Sequence, residues 1–279
     1  MCCLELHLHL SFHEVLKMKY CLSTLFFSPT GNTAKITKAV AEGFGKSYVE
    51  YDLTTLKNRR KYEALSFNKH DLVIIGVPVY RGRIPEFLVD FFQRFIGNEA
   101  KAVFTVVYGN RAYEDALLEL KNTFEKAGFK GVAAASFIGE HSYTNQIAGG
   151  RPDTDDLGIA FQLGHQVKAR LDVYDELSQP ELFVKGNFPY KEITPSPTIV
   201  PETNDDCTDC GICASVCPME AIDFVNFRTI DATKCILCSN CIKKCPENAK
   251  AINHEFIVNF TQNLISKLAE VRNEPELFF

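Results

Sequence analysis

Eight cysteines between residues 207 and 245 constrain this chain more than any other feature. They fall in two runs of one spacing, C-x2-C-x2-C-x3-C-P. Cys207, Cys210, Cys213 and Cys217 precede Pro218, and Cys235, Cys238, Cys241 and Cys245 precede Pro246. The second run repeats the first 28 positions later, so two copies of one supersecondary unit are implied. Thiolates are soft ligands suited to iron–sulfur clusters. Three of them at three-residue spacing let one loop wrap three corners of a cubane, and the fourth, one turn further on, points at the neighbouring cluster. Zinc modules pair one C-x2-C with a distant second pair and have no use for this density. The spacing therefore predicts two [4Fe–4S] clusters with crossed ligation. Cys207, Cys210, Cys213 and Cys245 hold cluster one; Cys235, Cys238, Cys241 and Cys217 hold cluster two. Folding and cluster binding should then be one event.

Residues 204–254 resemble two-cluster bacterial ferredoxins, with no departure in ligand spacing. Gly211, between the second and third cysteines, fits that resemblance, and Ser239 stands at the equivalent place in the second run. The chain has 279 residues, eleven cysteines and a net charge of −5. A secreted disulfide scaffold would spread its cysteines, whereas here a large region is almost free of them. That points to a reducing, cytoplasmic setting. The mild charge and the absence of a basic run give no reason to expect nucleic-acid binding. The longest apolar run, near 71–80, is far short of the ~20 residues of a membrane span.

Residues 19–177 alternate strand and helix. Strand-like runs occur at Tyr20–Phe27, Tyr48–Leu53, Asp71–Val77, Ala102–Tyr108 and Gly131–Phe137. Between them lie stripes at helical spacing: Ile36, Val40 and Phe44; Leu88, Phe91 and Phe95; Tyr113, Leu117, Leu120 and Phe124; Leu157, Ala160, Gly164, Val167, Leu171 and Tyr174. The stretch 54–68 is the weakest helix. The pattern predicts an α/β fold, a doubly wound five-stranded parallel sheet, followed by a small α+β cluster-binding domain.

The segment Ser28-Pro29-Thr30-Gly31-Asn32-Thr33 ends the first strand and opens the first helix. Hydroxyls, an amide, a turn-forming glycine and a helix N-terminus suit a phosphate. With no lysine and no G-x-x-x-x-G-K-[ST], a nucleoside triphosphate is disfavoured, and no G-x-G-x-x-G dinucleotide fingerprint occurs. This loop resembles the T/S-x-T-G-N-T phosphate loop of flavodoxins. The resemblance implies FMN, with two further flavin loops after strands three and four. Those positions hold Pro78, Val79, Tyr80, Arg81 and Gly82, and Tyr108, Gly109, Asn110, Arg111 and Tyr113. Ser28, Thr30, Gly31, Asn32 and Thr33 would take the phosphate. Tyr80 or Tyr113 would stack on the ring, and the backbone at 79–82 and 109–110 would meet its edge. Arg81, Arg83 and Arg111 are unusual for flavodoxins, whose flavin loops are often acidic. His141, near Tyr143 after strand five, faces the same sheet edge.

The expected organisation is an N-terminal extension at 1–18, with Met18 a candidate start; an FMN domain at 19–177; a proline-rich connector at 178–203; a ferredoxin domain at 204–254; and a terminal helix at 255–279. That helix would present Phe256, Phe260, Leu264, Leu268 and Val271 on one face. The whole resembles flavodoxin–ferredoxin fusions of anaerobic prokaryotes. The expected function is electron transfer between FMN and two [4Fe–4S] clusters, with redox protein partners such as a ferredoxin, a flavodoxin or an oxidoreductase. No acid–base pair or nucleophile stands out, so no catalytic residue is assigned. Alternatives are an FMN-dependent reductase using NAD(P)H or reduced ferredoxin, and a redox sensor or subunit of a larger complex. Oligomeric state is not legible.

Overall fold

The computed structural model describes residues 20–45, 47–173, 180–193 and 198–279. The N-terminal extension, including Met18, lies outside them, as does Tyr174.

Five strands form a parallel sheet: β1 (Cys21–Phe26), β2 (Val49–Asp52), β3 (Asp71–Pro78), β4 (Lys101–Tyr108) and β5 (Lys130–Ile138). Their order is 2-1-3-4-5, with registers such as Thr24 opposite Ile74 and Ile75 opposite Phe104. β1, β3 and β4 are apolar and rich in branched side chains because both their faces are covered. Helices α1 (Asn32–Phe44), α2 (Leu56–Lys61), α3 (Glu86–Phe92), α4 (Ala116–Lys126) and α5 (Thr154–Val173) supply the cover. On one face Ile36, Val40, Leu163 and Val167 pack on Leu22, Ile74 and Val103. On the other, Leu88, Phe92, Leu120 and Phe124 pack on Leu25, Val73 and Phe104.

The sheet has a sixth member that the sequence pattern does not announce. β8 (Glu276–Phe278) pairs antiparallel with β5, Ser136 opposite Glu276. The terminal segment is thus more than a helix. α8 (Glu255–Leu268) ends before Val271, and the chain then returns to the first sheet. Its buried residues are Ile257 and Leu264, while Phe256 and Phe260 are exposed, so only part of the expected apolar face is buried.

The connector lies along the first domain. Leu182 enters the core, and the backbone N–H groups of Asn187 and Lys191 donate to the carboxylate of Asp115. Beyond it, β6 (Glu202–Thr203) pairs with β7 (Lys250–Ala251), framing α6 (Ile212–Ser215) and α7 (Asn240–Lys243). The duplication extends to the backbone. Asp209 and Leu237, Gly211 and Ser239, and Glu220 and Asn248 are pairs 28 residues apart, and all six have positive φ.

Helices α1 and α5 meet through glycine. A Cβ on Gly164 would lie 2.0 Å from the carbonyl oxygen of Val40 and 2.6 Å from the Phe44 nitrogen, so backbone rather than a movable side chain blocks it. Gly164→Val should cost about 3 kcal/mol or more and lower the melting temperature by roughly 6–12 °C. Calorimetry of the full chain checks this; an unchanged melting point would contradict the close approach.

Candidate functional site

The two cysteine runs meet across the repeats. One cavity is lined by Cys217 together with Cys235, Cys238 and Cys241, with Ile222, Ile230, Ile236, Leu237 and Ser239 among its other walls. A second is lined by Cys207, Cys210 and Cys213 together with Cys245. Each cavity therefore takes three thiols from one repeat and the fourth from the other. The amide of Asn240 donates to Val216 O, joining the halves at the crossing. The N–H of Ala221 donates to Cys217 Sγ and that of Ala249 to Cys245 Sγ, both at 3.3 Å.

The donor set fits an iron–sulfur cluster. Burial pushes the Cys238 and Cys241 thiols up to about 12, so their ionised form needs a positive centre beside it, which iron supplies. Ser239 adds a second indication. It is buried, its hydroxyl has no hydrogen-bond partner, and it lines the first of these cavities. A sulfur acceptor there would satisfy it.

The loops of the first domain gather at the carboxyl ends of its strands. Gly31, φ +89°, caps α1, and space is open where its Cβ would be. Ser28 Oγ accepts the N–H of Ala34, and the N–H of Lys35 goes to Gly31 O. The N–H groups of Asn32 and Thr33 precede the first intrahelical donor, Lys35, and stand at the positive end of the helix dipole. Thr54 Oγ1 accepts the N–H of Ser28, bracing the loop from β2. This cradle fits a phosphate. Thr33 is buried, and Thr30 and Asn32 lie at the rim.

A larger cleft of about 440 Å³ lies over the other two loops. Val79, Tyr80, Arg81, Gly82, Tyr108, Gly109 and Arg111 line it, as the sequence leads one to expect. Tyr80 and Arg83 exchange backbone hydrogen bonds across a two-residue turn, whose members Arg81 and Gly82 both have positive φ. His141 and Tyr143 complete this wall. The opposite wall comes from the second half of the chain: Ile236 and Leu237 from the cysteine loop, and Phe256, Ile257, Phe260 and Leu264 from α8.

Three expectations are corrected. Tyr113 does not line the cleft. It is buried against Tyr108, and its hydroxyl donates to Glu276 of β8, so of the two expected stacking residues Tyr80 is the one that lines the cleft. Asn110 is fully buried and faces the terminal segment: its amide donates to Val271 O, and its side-chain and backbone oxygens accept from Asn273. Arg83 is bound to Glu119 and Lys191 O and stacks on Tyr190, a structural clamp outside the cleft. Arg111 does line the cleft, paired with Glu114 at 2.7 Å. Pro78 lies at the end of β3 behind the lining residues.

Sequence reasoning missed Arg59. It is buried, with Nη1 donating to Leu53 O and Thr54 O and Nη2 to Pro218 O at 2.6 Å. Burial draws it down to about 10, so it is charged at neutral pH. It sits in the weakest helix among other basic residues, where nothing in the pattern marks it.

The comparisons with known proteins agree with these two halves. Residues 25–155 match the flavodoxin family model, and residues 206–249 match that of the 4Fe-4S dicluster domain. The chain joins a flavodoxin-family domain to a 4Fe-4S dicluster domain. Its cofactors are FMN and [4Fe–4S] clusters. It is 43% identical over 67 residues to an uncharacterized polyferredoxin-like protein of Methanocaldococcus jannaschii, covering 24% of this chain and 29% of that one. It is 25% identical over 99 residues to NAD(P)H-quinone oxidoreductase subunit I of Gloeobacter violaceus, covering 30% and 46%. The matches thus span less than half of either relative. A flavodoxin from the domain Archaea aligns at 14% identity and a TM-score of 0.35, over 54% of this chain and 98% of its own. One from Streptococcus pneumoniae aligns at 15% and 0.37, over 54% and 99%. Among the described residues no helix is long and apolar enough to cross a membrane.

His141 offers a pH test of the cleft wall. Its Nδ1 accepts the N–H of Tyr143, and burial, then Lys243 and Arg111, lower its pKa to about 4. An unfolded chain binds this proton below about 6.5. Between pH 6.5 and 4 the unfolded state therefore holds more protons, and stability falls as pH falls, by ~2 kcal/mol at pH 5. Urea unfolding at pH 7 and pH 5 should show this loss in the native chain and its absence in His141→Gln. An equal loss in both would remove His141 as the cause.

Proposed function

We propose that the chain passes electrons internally between FMN in the cleft and the cluster held by Cys217, Cys235, Cys238 and Cys241, with the cluster held by Cys207, Cys210, Cys213 and Cys245 serving as the outer port to redox partners. The observation that carries this reading is a shared wall. Ile236 and Leu237 line both the cleft and the cavity of the nearer thiols. When bound, FMN exchanges one or two electrons and each cluster one, so together they join pair to single-electron chemistry.

The residues of the chain supply position and insulation. Leu237 has φ +53°, a conformation that costs a branched apolar residue energy. Its counterpart in the first repeat is Asp209, a residue type that visits this region readily. An apolar side chain is held there despite the backbone, which excludes water from the wall. Tyr80 and Tyr143 line the same end of the cleft, and Cys238 is close enough to each to bear on its ionisation. Lys243, between two cysteines of the second repeat, pairs with Glu140 and donates to His141 O, fixing the domains together. On the outer side Cys210 is exposed, where a partner can approach.

Anaerobically purified protein should contain about eight iron atoms and one FMN per chain. Cys217→Ala should impair the site shared with Cys235, Cys238 and Cys241 and leave the other loaded, read by iron content and paramagnetic resonance. Loss confined to the site of Cys207, Cys210 and Cys213 would overturn the crossed ligation. Reduction of the clusters in a stopped-flow cell should bleach the flavin at a rate independent of protein concentration. A rate proportional to concentration would show transfer between molecules instead.

A second reading rests on the size of the cleft and its cations. Arg81, Arg111 and Lys191 line it beside Phe256 and Phe260, a setting for a small anionic acceptor or for NAD(P)H. Flavin reduction by NAD(P)H in the same cell would favour this reductase reading, and inertness to both nicotinamides would exclude it.

A further inference from the structure

The two thiol cavities are built alike, yet they are not electrostatically alike. The cavity of Cys217, Cys235, Cys238 and Cys241 shares Ile236 and Leu237 with the cleft and is tied to the first domain through Pro218 and Arg59, whereas the other includes the exposed Cys210. Reduction adds a negative charge, and burial opposes it. Two groups at the buried cavity act the other way.

The first is Arg59. Its guanidinium is buried and lies over Phe27 and Phe87, 5.8 and 5.1 Å from the ring centroids. Its hydrogen bonds go to neutral acceptors: Leu53 O, Thr54 O, Pro218 O and Met219 Sδ. Glu220 and Cys217 attract it through space. A buried charge on neutral partners is costly unless a counter-charge lies nearby. Pro218 follows Cys217 directly, and Pro218 and Met219 line this cavity. The anionic centre that four thiolates would hold therefore adds to Glu220 as a counter-charge.

The second group is Ser239. It caps α7 in the left-handed region, φ +61°, as Gly211 caps α6 at φ +74°. The first repeat has no side chain at this place. The second has a buried hydroxyl without a partner, lining the same cavity as Pro218. Hydrogen bonds to the sulfurs, net charge and exposure are the levers that set a cluster's potential.

We infer that Arg59 and Ser239 together raise the reduction potential of the cluster held by Cys217, Cys235, Cys238 and Cys241, offsetting its burial against the flavodoxin-family domain. The inference rests on the crossed ligation proposed above. It makes the two clusters unequal, and it assigns Arg59 a dual role as interdomain clasp and counter-charge. Through Thr54 the same guanidinium bears on the phosphate loop, since Thr54 Oγ1 holds the N–H of Ser28.

The test is an anaerobic redox titration of the full-length, cluster-loaded protein, read by paramagnetic resonance. Arg59→Met should shift the reduction equilibrium of one cluster about tenfold toward the oxidised form, which for a one-electron couple is ~59 mV lower. The other cluster should not move. Arg59→Lys, which keeps the charge, should restore most of the shift. Ser239→Gly should move the same cluster in the same direction by less. Gly211 shows that glycine suits this cap, so Ser239→Gly decides the matter should Arg59→Met not fold. Two loaded clusters with unmoved potentials, equal shifts in both, or Arg59→Met and Ser239→Gly acting on different clusters would each overturn the inference alone. A native chain that loads fewer than two clusters would overturn the ligation reading and this inference with it.

Discussion

Each cavity of the second domain borrows its fourth thiol from the other repeat, and the rest of the structure is arranged around that exchange. Cys217 is the residue through which it reaches the first domain. The turn after it carries Pro218, whose carbonyl receives Arg59. Arg59 in turn holds Leu53 and Thr54 at the end of β2, and Thr54 braces the phosphate loop. A single chain of hydrogen bonds thus runs from the crossed cysteine to the cradle at the start of α1. None of these links stands on the exposed surface, where a salt bridge is worth little. Arg59 and Pro218 are shielded from water, so the bond between them counts for more than its surface equivalent.

The terminal segment closes the other side. Asn110 and Tyr113 lie in the loop after β4, and their polar groups are taken by Val271, Asn273 and Glu276. Arg151, bound to Asp156 inside the protein, also donates to Asn273 O. β8 then adds to the sheet edge. Thus α8 is delivered to the cleft by anchors at both ends: the cluster-binding repeats before it and the sheet after it. Phe256 and Phe260 are exposed where they face the cleft, and Ile257 and Leu264 are the residues that dock the helix.

The sequence made the regular parts of this architecture legible because they rest on local patterns. Branched apolar runs mark β1, β3, β4 and β5, and the cysteine spacing marks the paired cavities. The phosphate loop was readable because its chemistry is carried by consecutive residues. What escaped notice depends on long-range contact. Glu276–Phe278 is too short to read as a strand without the edge of β5 to pair with. Arg59 looks like any basic residue of a short helix until Pro218 meets it. Tyr113 has the spacing of a ring-stacking residue and also that of a core residue; the contact with Glu276, 163 residues away, decides between them. The side chain of Asn110 is drawn to the terminal segment in the same way.

Duplication with later divergence explains why these long-range features gather on one side. The repeats share their left-handed positions, so the backbone preserves the ancestral symmetry. Two of the places where the side chains differ lie on the side of the second repeat nearest the first domain. Asp209 becomes Leu237, placing an apolar group in the wall of the cleft at some cost to the backbone. Gly211 becomes Ser239, adding a hydroxyl to the cavity behind that wall. A free two-cluster carrier has no need to distinguish its ends. Once one end is buried against a flavin domain, solvent no longer stabilises added charge there, and fixed groups must replace it. The hydroxyl at 239, with the guanidinium of Arg59 from across the interface, is placed where such a replacement is needed.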